Sequence, residues 1–249
     1  MIWQLPNVQH EVIITNYVSV LLQRSKLRVA SVCDTLRERR EAGRSPLRIT
    51  MRIALFGTSA DPPTAGHQEI LSWLSERYDW VAVWAADNPF KSHQTPLEHR
   101  AAMLRLLIAD IDTPRHNIAL EQELSSFRTL ETVEKAKLTW GEDAELTLII
   151  GSDLLSQLPR WYRIEDLLQQ VQLLIVPRPG YAIDESSSEV VQKLGGKIAI
   201  ASLTGLDVSS TAYREHGDSQ ALTAPVVAYI NQEHLYECQD VHKKRYQLR

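Results

Sequence analysis

The chain has 249 residues, of which 44% are apolar and 23% charged, and its formal net charge is −4 at pH 7. This length suffices for one α/β core of ordinary size with an appendage. The acidic balance excludes a general attraction to nucleic acid or anionic membrane, so any phosphate chemistry must rely on locally placed cations.

Cysteine usage and targeting signals point to a reducing compartment. Cys33 and Cys238 lie far apart and without CxxC spacing, so neither a disulfide framework nor a zinc site is indicated. No apolar run reaches the ~18 residues that span a bilayer, and no basic segment with a signal-type apolar core begins the sequence. We expect a cytoplasmic protein with neither nucleic acid nor membrane as a partner.

The first fifty residues differ from the rest. Val12–Leu27 has helix-like apolar spacing, and residues 37–44 (RERREAGR) form a charge run. A helix followed by a solvated linker explains this pattern better than a nucleic-acid-binding arm. Met51 directly precedes the first predicted strand, so a translation start there is a third alternative that stays open. The predicted division is into an extension, a catalytic domain and a basic tail, at residues 1–50, 51–237 and 238–249.

From Met51 onward, β-rich apolar runs alternate with segments of helical spacing. The predicted strands are Arg52–Phe56, Trp80–Ala85, Ile118–Glu121, Leu146–Ile150, Val171–Val176 and Lys197–Ala201. The predicted helices are Gln68–Tyr78, Pro96–Asp110, Thr129–Thr139, Ile164–Gln170, Glu185–Leu194 and Pro225–Glu233. This alternation predicts an α/β fold with a doubly wound, mostly parallel sheet. Ligands in such sheets bind past the carboxyl ends of the strands, where the winding reverses.

The stretch 53–67, IALFGTSADPPTAGH, carries the clearest functional pattern. An apolar strand ends in small and polar residues, and a proline pair and a glycine lead into a helix. Gly57 allows a sharp turn, and Gly66 and His67 fall where the N–H groups of a helix start point outward. Such an end binds phosphate. Thr64 and His67 add a hydroxyl and an imidazole that converge on the same anion.

Two further segments offer donors to phosphate. Lys91 follows the second strand and could reach phosphate from that side, although a solvated loop lysine is the alternative. Ser209, Ser210 and Thr211 are three successive hydroxyls at a predicted helix start, and Arg214 follows one turn later on the same face. They place neutral donors and a guanidinium around one polyphosphate, with a plain N-cap as the alternative.

The segment after the fourth strand is suited to the rest of a nucleotide. Gly151 allows a ligand to approach the backbone closely, and Asp153 can accept hydrogen bonds from ribose hydroxyls or an adenine amine. The alternative for Asp153 is a cap of the next helix. Trp161 offers a large flat face for stacking. The surrounding proline and arginine residues favour an exposed loop there over a buried core tryptophan.

Together these motifs resemble the nucleotidyltransferase superfamily with the signature HxGH or TxGH, here residues 64–67. Within it, the loop is most similar to that of nicotinate mononucleotide adenylyltransferases, whose usual form is GGSFDPxHxGH. This chain departs from that form at Thr58, Ala60 and Thr64, where Gly, Phe and His are usual. The related phosphopantetheine adenylyltransferases also carry Thr at the last of these positions.

Other segments match the same family. SSTAYR at 209–214 resembles SSTxxR, IIGSDLL at 149–155 resembles IIGxDxL, and Arg100 with Met103 resembles RxxML, for which a surface arginine and a core methionine are the alternatives. SFRTLETV at 126–133 resembles SYTxDTL, which implies that Thr129 and Thr132 receive the pyridine substrate. N-capping is the alternative for Thr129, and Thr132 is the better placed of the two. The resemblance also implies that Trp161 stacks on the nicotinate ring.

The resemblance implies a Rossmann-like nucleotidyltransferase fold and a reaction of NAD biosynthesis. The phosphate of nicotinate mononucleotide attacks the α-phosphorus of ATP, which releases pyrophosphate and leaves deamido-NAD. The implied catalytic residues are His67, Thr64 and Arg214. The implied ATP-binding residues are Gly57, Thr58, Ser59, Gly66, Gly151, Asp153, Ser209, Ser210 and Thr211, and Lys91 is assigned to the acceptor phosphate. Mg²⁺ is expected on ATP oxygens and water, with no metal ligand in the chain.

Two other functions stay open. Another superfamily member could take nicotinamide mononucleotide or phosphopantetheine, although Trp161 and the SSTxxR match argue against the latter. A nucleotide-binding regulator without catalysis is the alternative from a different class, motivated by Thr58, Ala60 and Thr64. The sequence contains no P-loop, GxGxxG, HExxH or GxSxG motif, so kinase, dehydrogenase, zinc protease and α/β-hydrolase interpretations lose their main support.

Overall fold

The computed structural model describes residues 50–87, 94–183, 185–203, 206 and 208–236. The predictions made for residues 1–49, for Lys91 and for the basic tail lie outside these residues. All described residues belong to one compact unit, Thr50–Arg249.

Strands and helices alternate along the described chain. The strands are β1 (Arg52–Thr58), β2 (Trp80–Ala85), β3 (Ile118–Leu120), β4 (Glu145–Gly151), β5 (Gln172–Val176) and β6 (Lys197–Ile200). The α-helices are α1 (Ala65–Arg77), α2 (Leu97–Ala109), α3 (Thr129–Trp140), α4 (Ile164–Leu168), α5 (Glu185–Lys193), α6 (Ser210–His216) and α7 (Ala224–Gln232). Short 3₁₀ helices occupy Gln122–Leu124, Ser152–Arg160 and Ser219–Ala221.

The described strands form one six-stranded sheet in the order β3-β2-β1-β4-β5-β6. Every neighbouring pair is parallel. The winding direction reverses between β1 and β4, which lie side by side at the centre. The predicted α/β class with a doubly wound parallel sheet is therefore confirmed. The carboxyl ends of β1 and β4 form the crevice at which such sheets bind ligands.

Both faces of the central strand are covered. Ala54 and Phe56 of β1 belong to a core that also contains apolar residues of α1, α2 and α7. Ile53 and Leu55, which point to the opposite face, are fully buried as well. A strand buried on both sides explains why β1 reads as a continuous apolar run rather than an alternating one.

Two element boundaries near the crevice differ from the prediction. β1 continues through Gly57 and Thr58, which pair with Trp84 and Ala85 of β2. A Cβ on Gly57 would lie 2.5 Å from ring atoms of Trp84. The glycine is therefore required by this close approach, not by a sharp turn. α1 begins at Ala65 rather than Gln68, with Thr64 extended at the N-cap, so the segment 64–67 forms the helix start itself.

Among the described residues, no helix is both long enough and apolar enough to cross a membrane.

Candidate active site

The imidazole of His67 is held on both sides at the start of α1. Its Nδ1 accepts a hydrogen bond of 3.0 Å from the backbone N–H of Thr64, whose Oγ1 is 2.9 Å from the same nitrogen. Nε2 is 3.0 Å from Oγ1 of Thr58 at the end of β1. The ring also lies at a tilt against Phe56, with centroids 6.4 Å apart. His67 is therefore fixed at the carboxyl end of the central strand.

The segment that begins α6 packs onto the loop after β1. The Ser210 hydroxyl donates a hydrogen bond of 2.7 Å to the carbonyl oxygen of Pro62. The guanidinium of Arg214 donates to the carbonyl oxygen of Asp61. A Cβ on Gly66 would come within 3.2 Å of the Val208 side chain. The two phosphate motifs that the sequence separates widely are thus brought together.

The three hydroxyls before and within α6 have different partners. Ser209 is the N-cap, and its Oγ accepts from the backbone N–H of Ala212 at 3.0 Å, as the N-cap alternative predicts. Ser210 contacts the loop, as described above. The Thr211 Oγ1 accepts from Arg214 Nη2 at 3.2 Å. Thr211 therefore orients the guanidinium of Arg214, which lies in the same helix.

Asp61 joins the loop after β1 to two other segments. Its carboxylate accepts a hydrogen bond of 2.6 Å from the Tyr236 hydroxyl and one of 3.3 Å from the backbone N–H of Thr95. Burial, and next the hydrogen bond to Asp61, raise the pKa of Tyr236 above its ordinary value. The tyrosine therefore stays a hydrogen-bond donor to the buried carboxylate.

Arg100 is 1% exposed, so the surface position considered for it is wrong. Its guanidinium donates to the carbonyl oxygens of Ser59 at 2.9 Å, Ala86 at 2.7 Å and Thr95 at 2.8 Å. It also pairs with the carboxylate of Asp87. These contacts tie the segments after β1 and β2 together. Met103 of the same motif is fully buried, as its core alternative requires.

Asp153 lies in the first turn of the 3₁₀ helix that follows β4. A Cβ on Gly151 would lie 2.4 Å from the Asp153 carboxylate, so this glycine gives room to a side chain of its own segment. The guanidinium of Arg178, which follows β5, donates to the Asp153 carboxylate at 3.1 Å. Asp153 and Tyr181 line a cavity of about 180 Å³.

The predicted acceptor side is formed by the start of α3 and the segment after the 3₁₀ helix. The guanidinium of Arg128 lies 4.2 Å from the ring centroid of Tyr162, which brings the neighbours Thr129 and Trp161 to the same region. Arg128, not Thr129, occupies the N-cap of α3. Trp161 is half-buried. Its side chain is therefore less exposed than the predicted exposed loop implies, and it is not part of the core.

Thr132 differs from its predicted position. It is 1% exposed, and its hydroxyl donates to the carbonyl oxygen of Leu124 at 2.9 Å. Thr129 is half-buried. The expected order of the two threonines is therefore reversed, because the inward turn of α3 carries Thr132 into the fold and leaves Thr129 the more accessible.

Comparisons with known proteins show the family of this chain. The model of the cytidylyltransferase-like family matches residues 55–216. A probable nicotinate-nucleotide adenylyltransferase of Synechocystis is 41% identical over 199 residues, which cover 75% of this chain and 99% of that protein. One of Bacillus pumilus is 32% identical, covering 75% and 98%. This chain belongs to the nicotinate-nucleotide adenylyltransferases of the cytidylyltransferase-like family.

The fold agrees with a solved member of this family. A Plasmodium falciparum nicotinic acid mononucleotide adenylyltransferase, complexed with NaAD, covers 75% of this chain and 98% of its own, with a TM-score of 0.64 at 20% identity. At that identity the likeness establishes the fold alone.

The side chains at this adenylyltransferase site determine whether the protein itself could hold a divalent cation. The described residues contain no group of three or more His, Cys, Asp or Glu side chains that could hold a metal ion. The carboxylate of Asp61, which lies in the loop after β1, already accepts from Tyr236 and Thr95. The neutral and cationic groups at the loop are suited to bind phosphate oxygens. Because phosphate oxygens are hard ligands for Mg²⁺, the cation would be held by the triphosphate.

Two residues that support the site, Asp61 and Tyr236, were not predicted from the sequence. Asp61 lies within the loop motif, which predicts no role for it, and Tyr236 lies in none of the motifs. An Asp before a proline pair in a loop is a pattern that could have indicated a supporting residue. A carboxylate that is buried there needs hydrogen-bond donors from other segments. No sequence signal identifies Tyr236, since its partner lies 175 positions earlier.

Proposed function

We propose that this chain transfers the AMP part of ATP to nicotinate mononucleotide, giving deamido-NAD and pyrophosphate in NAD biosynthesis. Its membership of the nicotinate-nucleotide adenylyltransferases supports this reaction. The observation that carries the proposal is the meeting of two motifs, in which Ser210 and Arg214 bond to the carbonyl oxygens of Pro62 and Asp61. In this proposal, hydroxyl, imidazole and guanidinium groups of the two motifs contact the same triphosphate.

The attacking phosphate is already an anion, so the reaction needs no general base. The protein has to bring two polyanions together, align them, and stabilise the charge that develops on the leaving pyrophosphate. His67, Thr64 and the loop carrying Gly57, Thr58, Ser59 and Gly66 are assigned to the α- and β-phosphates. The α6 side, with Ser209, Ser210, Thr211 and Arg214, is assigned to the β- and γ-phosphates. A guanidinium has five N–H donors, so the contacts of Arg214 with Asp61 and Thr211 leave it able to bind phosphate.

The remaining assignments concern the two nucleosides. Gly151 and Asp153, at the end of β4, are assigned to the ATP nucleoside, where Asp153 can accept from hydroxyl or amine donors. Thr129 and Trp161 are assigned to the pyridine end of the acceptor. Thr132 contributes by tying the first turn of α3 to the carbonyl oxygen of Leu124. Lys91 remains a predicted ligand of the acceptor phosphate.

Mg²⁺ enters this proposal as part of the ATP complex. Bound to phosphate oxygens and water, it would neutralise charge on the triphosphate. The residues of the chain orient those phosphates from both sides. The reaction is assigned to the cytoplasm, as the cysteine usage of the sequence suggests.

A coupled pyrophosphate-release assay tests the proposal. Purified full-length chain is given Mg·ATP with nicotinate mononucleotide, nicotinamide mononucleotide or phosphopantetheine in parallel. We expect turnover with nicotinate mononucleotide to exceed that with the other two acceptors. The variant His67→Ala, prepared alongside, should abolish most of the signal and so exclude a contaminating enzyme.

Other outcomes identify the alternatives. Higher turnover with nicotinamide mononucleotide would assign the chain to that acceptor. Binding of ATP in calorimetry without turnover on any acceptor would favour the nucleotide-binding regulator and contradict the proposal.

A further inference from the structure

Tyr236 reaches the loop after β1 from the end of the described chain. It follows α7, which ends at Gln232, and its hydroxyl donates a hydrogen bond of 2.6 Å to Oδ1 of Asp61. Oδ2 of the same carboxylate accepts a longer bond of 3.3 Å from the backbone N–H of Thr95. Asp61 is 4% exposed, so its charge needs hydrogen-bond donors from the protein. The Tyr236 hydroxyl makes the shorter of these two bonds.

Asp61 also contacts Arg214, through its main chain. The guanidinium donates to the carbonyl oxygen of Asp61, so a single residue lies between the phenol and the guanidinium. A buried carboxylate that loses its shorter bond turns toward another donor, because an unpaired charge in the interior is costly. The carbonyl of the same residue would then shift, and with it the partner that fixes Arg214.

The ring of Tyr236 meets α6 independently of Asp61. It lies edge-on to the ring of Tyr213, with centroids 5.9 Å apart and planes at 86°, and both rings pack against the core. Tyr213 directly precedes Arg214 in α6. Burial is the main cause that raises the pKa of Tyr236, and the charge of Arg214 is a smaller one that lowers it. The guanidinium is therefore within electrostatic reach of the phenol.

The backbone of Tyr236 has a conformation that such a residue rarely adopts. Its φ is 68°, in the left-handed region. For a residue with a bulky ring this conformation is strained, and it persists only where the surrounding contacts hold it. The contacts with Asp61 and Tyr213 are of this kind, since they fix the hydroxyl and the ring of the same side chain.

We propose that Tyr236 is a positioning residue that fixes Asp61 and thereby holds the guanidinium of Arg214 at the loop after β1. The inference rests on the proposed function, in which Arg214 binds the β- and γ-phosphates of ATP. Tyr236 itself contacts no phosphate in this proposal. Its hydroxyl fixes the residue whose carbonyl accepts from Arg214, and its ring supports α6, so the cation is in place before ATP arrives.

The first test observes Arg214 without substrate. In ¹H–¹⁵N spectra of ¹⁵N-arginine-labelled full-length chain, a guanidinium held by hydrogen bonds rotates slowly and gives separate Nη resonances, whereas a free one gives averaged resonances. The variant Arg214→Lys identifies the signals of residue 214. We expect separate resonances in the wild type that shift or average in Tyr236→Phe, which keeps the ring and removes the hydroxyl. Averaged resonances in the wild type, or unchanged ones in Tyr236→Phe, would overturn the inference.

Kinetics with both substrates separate positioning from a general loosening of the fold. Because Arg214 acts on ATP, Tyr236→Phe should lower kcat/KM for ATP about fivefold, the scale of one hydrogen bond acting through an intervening residue. The KM for nicotinate mononucleotide should not change. In the Arg214→Ala background the same substitution should cost nothing further. An equal loss in both backgrounds would show that Tyr236 acts independently of Arg214 and would contradict us.

Tyr229→Phe is the matched control. Tyr229 belongs to α7, and its hydroxyl lies 2.9 Å from Nδ1 of His99. This variant therefore also removes a hydrogen-bonded tyrosine hydroxyl near the end of the described chain, but it leaves the bond to Asp61 intact. We expect wild-type kinetics and unchanged Arg214 resonances. Equal losses in Tyr229→Phe and Tyr236→Phe would assign the effect to packing and overturn the inference.

Two further measurements keep these results interpretable. Thermal unfolding of each variant sets an assay temperature below the lowest transition, so that all chains compared are folded. A wild type that transfers no adenylyl group would refute the proposed function alone, because the arginine spectra report on Tyr236 and Arg214 without any substrate.

Discussion

The hydroxyl of Ser210 donates a hydrogen bond of 2.7 Å to the carbonyl oxygen of Pro62, 148 positions earlier in the chain. Arg214, one turn further along α6, bonds to the neighbouring carbonyl of Asp61. The loop after the first strand and the start of a late helix therefore form one surface. A triphosphate bound there would be contacted from both sides, which neither segment could achieve alone.

Replacement of Arg214 by lysine tests the fork geometry of this contact. Lysine keeps the positive charge, but its single nitrogen lacks the planar fork with which Arg214 bonds to the Asp61 carbonyl and the Thr211 hydroxyl through separate nitrogens. We expect kcat/KM for ATP to fall about tenfold or more. Arg77→Lys, at the far end of α1 where the guanidinium lies over Trp73, is the matched control and should behave like the wild type. Similar activity of both variants would remove Arg214 from the site.

The removal of the His67 imidazole tests charge stabilisation in the reaction. His67→Ala should lower kcat by roughly 100-fold, the effect of losing one donor to developing charge. The dissociation constant for ATP, measured by calorimetry, should change much less. If the affinity for ATP falls while kcat is unchanged, the imidazole contributes uniform binding instead.

The parts of the fold that depend on local pattern were predicted well. The alternation of apolar runs and helical spacing located all six described strands, because side-chain periodicity depends on adjacent residues. The grouping of residues 64–67 with 209–214 also followed from their chemistry, since each segment offers donors to phosphate. Long-range contacts could not be predicted in this way. The burial of Arg100 and Thr132 depends on carbonyl partners that no spacing in the sequence reveals.

Gly57 illustrates this limit and leads to a stability prediction. Gly57→Ala should lower the free energy of unfolding by about 1–3 kcal/mol, the usual cost of overpacking, because the new Cβ would lie 2.5 Å from the Trp84 ring. Urea denaturation measures the loss. In a Trp84→Leu background the ring is absent, so the same substitution should cost less. Equal costs in both backgrounds would mean that Trp84 is not what requires the glycine.

Arg100 should matter to the fold more than an ordinary helix arginine. Arg100→Met removes the donors that bond to Ser59, Ala86 and Thr95. We expect a loss of about 3 kcal/mol or more in urea denaturation, since buried carbonyls lose their partner. Arg105→Met, at an exposed position of the same helix, is the control and should cost little. A small effect at residue 100 would indicate that water replaces the guanidinium.

Tyr236→Phe removes the hydroxyl that donates to Asp61, and its effect should depend on pH. Near neutral pH the variant should lose about 1 kcal/mol of unfolding free energy, the scale of one hydrogen bond. The pKa of Tyr236 is raised in the folded protein by burial and by Asp61, so the folded state keeps its proton above the ordinary tyrosine pKa of about 10 while the unfolded state releases it.

The stabilisation that this proton represents is complete below the unfolded pKa and is lost as the pH rises toward the folded one. The wild type should therefore lose stability more steeply than Tyr236→Phe beyond about pH 10, and the gap between the two should narrow. Urea denaturation at several pH values measures the gap. Tyr162→Phe, at a ring that is 48% exposed, shows how far loss of a surface hydroxyl alone changes the curve. A constant gap between wild type and Tyr236→Phe would show that the proton on Tyr236 does not distinguish the folded from the unfolded state.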